Sequence, residues 1–292
     1  MALLVWFITG ASSGFGLLLC QRALLTGHRV IGTVRSRTRA VEAINSIEAK
    51  GGRIIEMDMT ESQESISSKV KAAEAVYGRI DVLVNNAGCS IVGPLEAFTE
   101  AEAGHLFQTN FFGALYTIQA TLPGMRERRA GTIVNISSVE GQDGTAASGL
   151  YAASKFALEG MSESLGHEVK EFGISVLVVE PGAFRTNFLN AVAMNEKGVP
   201  EGYKGTVVDR IAQALLAFAA KAAKPPHTAG DPAKAVERMF EVISGEGIGG
   251  PLKGKIFRLP LGEDSLRRIG NKVASLSGDI SLAGAIGSST KY

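Results

Sequence analysis

Tyr151 and Lys155 stand four residues apart in the stretch Tyr151-Ala152-Ala153-Ser154-Lys155. On an α-helix that spacing places both on one face, so a phenol and an ammonium can serve one site. The chemistry they suit is proton transfer. A free phenol has a pKa of about 10, too high for a base at neutral pH, and a cation within a few ångström favours the phenolate. By spacing alone the pair reads as an ordinary surface pair on a helix; the rest of the chain has to decide.

A second signature is Thr9-Gly10-Ala11-Ser12-Ser13-Gly14-Phe15-Gly16, set between an apolar run and a helical pattern. Glycines there let the backbone turn tightly and approach a pyrophosphate, while a helix N-terminus offers free N–H groups and positive potential. The spacing is Gly-x3-Gly-x-Gly rather than the usual dinucleotide fingerprint. An acidic residue about twenty positions on would mark NAD by binding the ribose 2′-OH. Here the stretch is Gly32-Thr33-Val34-Arg35-Ser36-Arg37. With no carboxylate present, Arg35 suits a 2′-phosphate, and NADP(H) is expected over NAD.

These residues need a scaffold, and short apolar runs alternate with longer amphipathic ones to supply it. LLVWFITG, HRVIGTVR, RIIEMDM, IDVLVNNAG, GTIVNISS, ISVLVVEPG and KIFRLP read as about seven strands. They are rich in Val, Ile and Leu without strict alternation, as parallel strands buried on both faces are. Helices are expected after the glycine loop, between the second and third strands, around 62–77, as one long helix within 100–129, over Tyr151–Phe172 and over 232–243. The fold class is therefore α/β, a Rossmann-type doubly wound parallel sheet flanked by helices. Residues 1–262 form one domain. An insertion at 187–232, holding the helical pattern VVDRIAQALLAFAAKAA between Gly/Pro-rich stretches, is expected to act as a small helical substrate lid. Residues 263–292 are expected to hold a helix and a flexible, frayed end.

Composition narrows the function. Thirty basic and 29 acidic residues, a net charge of +1, leave no electrostatic footprint for nucleic acid or an anionic membrane. Cys20 and Cys89 form no Cys-x-x-Cys pair, and the four histidines, at 28, 105, 167 and 227, show no metal-ligand spacing, so no metal is expected. The first apolar run is too short for a signal segment and no run reaches the length of a membrane span. A cytoplasmic location is the expectation.

Taken in order, the motifs resemble the short-chain dehydrogenase/reductase family over residues 3 to about 262. TGASSGFG matches the family's cofactor loop, MDMT carries Asp58 with Met59 beside it, and NNAG at 85–88 follows the fourth strand. Asn110 lies in the next helix, VNISS ends at Ser138, and PGAFRT covers 181–186. VIGTVRS is similar to NADP(H)-using members, including those of the 17-beta-hydroxysteroid dehydrogenase type. The resemblance implies a catalytic set of Asn110, Ser138, Tyr151 and Lys155. In it Tyr151 is the general acid or base, Ser138 orients the substrate oxygen, and Asn110 positions a water linking Lys155 to solvent. It also implies a cofactor site of Gly10, Ser12, Ser13, Gly14, Phe15, Gly16, Arg35, Asp58 at the adenine, Met59, Asn86, Ala87, Gly88, Tyr151 and Lys155. Pro181, Gly182, Phe184 and Thr186 would stand at the nicotinamide carboxamide.

The activity implied is hydride transfer between NADP(H) and a carbonyl or secondary alcohol of a moderately hydrophobic substrate, with ketone reduction favoured. The alternatives are isomerisation or cyclisation at the same site, and a non-enzymatic NADP-sensing regulator. A homodimer or homotetramer is implied through the helices at 100–125 and 151–170. Glu140, Gln142 and Asp143 are as readily a solvated loop as a substrate mouth. Cys89 is expected to pack, His105 and His167 to be surface or core residues, and Phe184 and Phe188 to form either an apolar wall or lid packing.

Overall fold

The computed structural model describes residues 3–188, 192–219 and 229–291, with 218 and 219 described by backbone alone. The end of the Ala-rich helical pattern, 220–223, and residues 224–228 of the expected lid lie outside the described residues.

In chain order the elements are β1 (Val5–Ile8), α1 (Gly14–Leu25), β2 (Arg29–Val34), α2 (Val41–Glu48), β3 (Arg53–Glu56), α3 (Gln63–Tyr77), β4 (Val82–Asn85) and β5 (Ile91–Val92). There follow α4 (Glu100–Phe107), α5 (Gly113–Arg128), β6 (Gly131–Ile136), α6 (Gly149–Val169), β7 (Ile174–Pro181) and β8 (Ala193–Met194). The rest are α7 (Val207–Ala219), α8 (Pro232–Ser244), β9 (Arg258–Leu261) and α9 (Glu263–Ser288). One seven-stranded sheet runs β3-β2-β1-β4-β6-β7-β9, and all its pairings are parallel.

β1 shows why the strands are apolar throughout. Trp6 and Ile8 face a core completed by α1, α2 and α8, where Trp6 stacks on Phe240 at 5.6 Å. Val5 and Phe7 face the opposite core under α3, α5 and α6. Each β1 residue is thus buried on one side or the other, which erases the period-two signal of a half-exposed sheet. The strand order reverses between β1 and β4, and in such sheets the carboxyl edge at that point is where ligands settle.

A polar ladder crosses the buried centre. Thr117 on α5 donates to Asn85 Oδ1 at 2.6 Å, Asn85 Nδ2 donates to Asn135 Oδ1 at 2.9 Å, and Asn135 Nδ2 donates to Ser162 Oγ on α6 at 2.8 Å. Each partner is satisfied, so the ladder fixes α5 and α6 against β4 and β6 at little desolvation cost.

Three local features depart from the sequence reading. The long helix expected within 100–129 is broken by a π turn at Gln108–Phe112, with Gly113 N donating to Gln108 O. A two-stranded sheet of β5 and β8 adds to the main one; two-residue strands have no periodicity to read. The Gly/Ser-rich end expected to fray continues as the single helix α9 to Ser288. Among the described residues no helix is long and apolar enough to cross a membrane.

Candidate active site

A cavity of about 720 Å³ opens at the carboxyl edge of the sheet. The turn after β1 forms its floor. Gly10 and Gly14 adopt positive φ of 70° and 55°, a conformation open to glycine at no steric cost. A Cβ on Gly16 would collide with the Gly10 carbonyl and reach 2.5 Å from Asn86 Nδ2. Asn86 braces the turn, its Nδ2 donating to Thr9 O at 2.9 Å and Gly10 O at 3.2 Å. The first turn of α1 points into the cavity with no acidic side chain in it. Free N–H groups, positive potential and close backbone approach suit the pyrophosphate of a dinucleotide.

Of the cofactor residues expected from the sequence, Gly10, Ser12, Ser13, Gly14, Phe15, Arg35, Asp58, Met59, Asn86, Ala87, Gly88, Pro181, Gly182, Phe184 and Thr186 all line the cavity. Gly16 sits one layer beneath. Arg35 is exposed at the end of β2 and makes no ion pair among the described residues. Arg37, two residues on, is engaged: it donates to Ile54 O and pairs with Glu48 at 3.4 Å. Asp58 accepts from Thr60 N and Oγ1, both at 2.9 Å, which fixes its carboxylate at the rim. Phe15 and Phe184 meet edge to face at 5.4 Å.

Ser138, Tyr151 and Lys155 line this cavity's inner wall, with Asn110 buried behind Gly88. Ser138 follows β6, and its Oγ accepts from Glu140 N at 3.1 Å. Tyr151, on the first turn of α6, stands beside Ser138 and packs against Phe188 at 5.9 Å between ring centroids. Lys155 lies one turn on, its Nζ 5.8 Å from the Tyr151 ring centroid and donating to Ile136 O at 2.8 Å. A Cβ on Gly88 would stand 3.3 Å from Asn110 Oδ1 and 3.6 Å from Lys155 Nζ, so these two groups meet at that glycine.

One expectation about this cluster needs correction. Lys155 does not hold the Tyr151 phenol low: burial raises its pKa above the ordinary phenol value, opposed by the neighbouring Ser138 hydroxyl. The ammonium is itself desolvated, which lowers its pKa to about 8. Burial penalises both charged forms before either can help the other. The Asn110 side chain, in turn, is fully engaged. Its Oδ1 accepts from Cys89 N at 2.9 Å, and its Nδ2 donates to Cys89 O and Ser154 Oγ, both at 3.0 Å. The π turn at Gln108–Phe112 interrupts the regular helical ladder at this residue.

The outer wall holds residues whose part was not read from the sequence. Arg268, on α9, sends Nε to Asp143 Oδ2 at 2.7 Å, Nη1 and Nη2 to Glu140 Oε1 at 3.1 Å, and Nη2 also to Thr145 Oγ1 and the Asp143 carbonyl. Asp264 Oδ2 accepts from Ala183 N at 2.8 Å. The loop after Ser138 is therefore clamped rather than solvated. His105, expected at the surface or in the core, lines the cavity, as does Cys89. Ile91, Val92, Val139, Phe188, Val192 and Leu215 make the rest of this wall apolar.

Behind it, Glu159 and Glu180 are buried around Arg258 at 3.2 and 3.3 Å. Gln142 donates to Glu159, and Arg258 also reaches the exposed Glu163 at 3.5 Å. Burial, and then the Glu159 charge, raise Glu180 to about 8. Folded Glu180 thus keeps a proton that the unfolded chain releases above its ordinary value near 4.5. Stability contributed by that proton falls as pH rises from about 4.5 to 8, by at most about 1.4 kcal/mol per pH unit. Urea unfolding at pH 5 and pH 8 is expected to show this decline in the native chain and a shallower one in Glu180→Gln; parallel declines would dismiss the proton on Glu180.

Comparison with known proteins follows this geometry. A family model described as short chain dehydrogenase matches residues 4–197. Oxidoreductase claN of Passalora fulva is 42% identical over 217 residues, 74% of this chain and 97% of that one. The 3-ketodihydrosphingosine reductase of Bacteroides thetaiotaomicron is 44% identical over 181 residues, 62% of this chain and 64% of that one. Among solved structures, a short-chain dehydrogenase from Streptomyces avermitilis superposes with a TM-score of 0.84 at 36% identity, covering 99% of both chains.

Proposed function

Because the chain belongs to the short chain dehydrogenase family, an oxidoreductase family with a nicotinamide cofactor, we propose that it is an NADP(H)-dependent reductase of ketones on a moderately hydrophobic substrate, with the secondary alcohol as product. The observation that carries this reading is the meeting of Tyr151, Ser138 and Lys155 on one wall of a cavity whose floor suits a dinucleotide.

The nicotinamide, when bound, supplies the hydride. The protein's residues do the rest. Ser138 Oγ orients the substrate oxygen where negative charge develops. Tyr151 Oη delivers the proton to that oxygen, and its raised pKa makes it an acid that stays protonated until the oxygen becomes basic. Lys155, held by the Ile136 carbonyl, places its ammonium beside the phenol and stabilises the phenolate left behind. The apolar wall excludes water and takes the substrate's hydrocarbon. The name of the Bacteroides relative, a ketone reductase for a long-chain base, agrees with that class of substrate. The proposal includes a single domain over 1–262 with 187–232 as its lid, and a cytoplasmic homodimer or homotetramer.

NADP(H) rests on Arg35, a cationic side chain at the cavity rim with no ion-pair partner among the described residues. A guanidinium meets a phosphate with charge-assisted bonds. Titrating NADPH and NADH separately is expected to show at least a tenfold preference for NADPH, which Arg35→Ala abolishes by weakening NADPH alone. Equal affinities in the native chain, or a variant that keeps the preference, would dismiss the assignment.

A further inference from the structure

Past its first turns α9 has left the body of the protein. Ser265 is its one buried residue, and every residue from Val273 to Ser288 is exposed. Such a helix is unstable by itself in water. Gly270, Gly278, Gly284 and Gly287 each disfavour helix by about 1 kcal/mol relative to Ala, and helices persist in proteins through a packed apolar face. Most of the large apolar residues of α9 fall on one stripe, with Leu282 and Ile286 outside it. Leu266, Ile269, Val273, Leu276, Ile280 and Ala283 follow alternating steps of three and four, the spacing of a coiled-coil seam. Leu266, Val273, Leu276 and Ile280 are between 48% and 73% exposed, a stripe on which nothing packs among the described residues.

We propose that this stripe is an interaction surface for a second copy of the chain, the two α9 helices pairing antiparallel about a twofold axis. The charges bordering the stripe select that occupant and that direction. When Val273 packs against Leu276 of the second copy, Ile269 meets its Ile280 and Leu266 meets its Ala283. In this register Lys272 lies beside Asp279 of the second copy, and the twofold axis repeats the pair. A parallel pair would instead face Lys272 with Ser277 and Asp279 with Gly284, leaving both charges without a partner. On the other border Gly270 and Ser277 are small, so the two backbones can approach. A lipid surface is a poorer match, since Lys272 is the sole basic residue beyond Arg268 until Lys291. The surface is separate from α4, α5 and α6, on which the family resemblance would place the dimer contact.

The experiment uses the full chain with a nitroxide at Ser289→Cys in a Cys89→Ser background, Cys20 being buried. Antiparallel pairing sets the two labels about 40 Å apart, from roughly 1.5 Å of rise per residue over about 29 residues. The expected result is a distance near that value. Lys272→Asp and Asp279→Lys should each weaken the pair at least tenfold, and the double variant should restore it. A body-mediated dimer would not reproduce the swap-and-rescue pattern. A short distance, indicating parallel helices, would overturn the proposal. So would labels that show no coupled pair, charge swaps without effect, or a label that inserts into phosphatidylcholine vesicles instead of pairing.

Discussion

Tyr151→Phe is expected to lower the rate of hydride transfer by about 10²- to 10⁴-fold, the usual worth of a positioned general acid, while leaving NADPH affinity within about threefold. The variant deletes one oxygen and little else. The Tyr151 ring is 7% exposed and packs against Phe188, and Phe keeps that packing. What disappears is the proton donor beside Ser138. Single-turnover kinetics with NADPH, beside a fluorescence titration of the cofactor, separate chemistry from binding. A Phe variant retaining more than a tenth of the native rate would show that another group protonates the substrate, and the assignment of Tyr151 would fall.

The second large effect belongs to a residue about eighty positions beyond the last motif. Arg268→Ala is expected to destabilise the protein by about 1–3 kcal/mol, the range for leaving charged hydrogen-bonding groups without a partner, and to lower kcat/KM about tenfold, equivalent to about 1.4 kcal/mol. Its fork joins Glu140, Asp143 and Thr145 in one contact. Without it Glu140 keeps only Thr145, with donors at 2.9 and 2.6 Å, and the loop that starts at Ser138 loosens. Arg268→Lys should restore little, because an ammonium cannot reproduce five donors in a planar fork. Cofactor affinity should hold, since the dinucleotide floor is built from other elements. Urea midpoints and steady-state kinetics on both variants check this; an Ala variant with native kcat/KM would reduce Arg268 to a surface charge.

The contrast between these two residues shows what was legible in the chain. Tyr151 and Lys155 are four apart, and helix geometry alone brings them together. The buried strands announce themselves as unbroken apolar runs, and the glycine loop by its place between strand and helix. Arg268 meets Asp143 across 125 residues, a contact no local pattern encodes. The π turn at Asn110 likewise carries no periodicity of its own. The pKa of Tyr151 was read in the wrong direction for a physical reason. Sequence spacing reports which charges stand near, whereas desolvation depends on everything packed around them. Glu180 did leave a trace: a carboxylate in the apolar run ISVLVVEPG is a residue type rarely buried without a partner.

The clamp by α9 also orders events in time. During synthesis, chains emerge N-terminus first at roughly 5–20 residues per second. The glycine turn, Arg35, Ser138 and Tyr151 are all made before Arg258 and Arg268 exist. A nascent chain stopping at β7 carries the residues of the glycine turn, but the core beneath it lacks α8, Glu159 and Glu180 lack their shared cation and the loop after Ser138 lacks its latch. The ribosome thus delivers the chemistry-bearing residues before the elements that hold them, so the site is finished only once α8, β9 and α9 have been made.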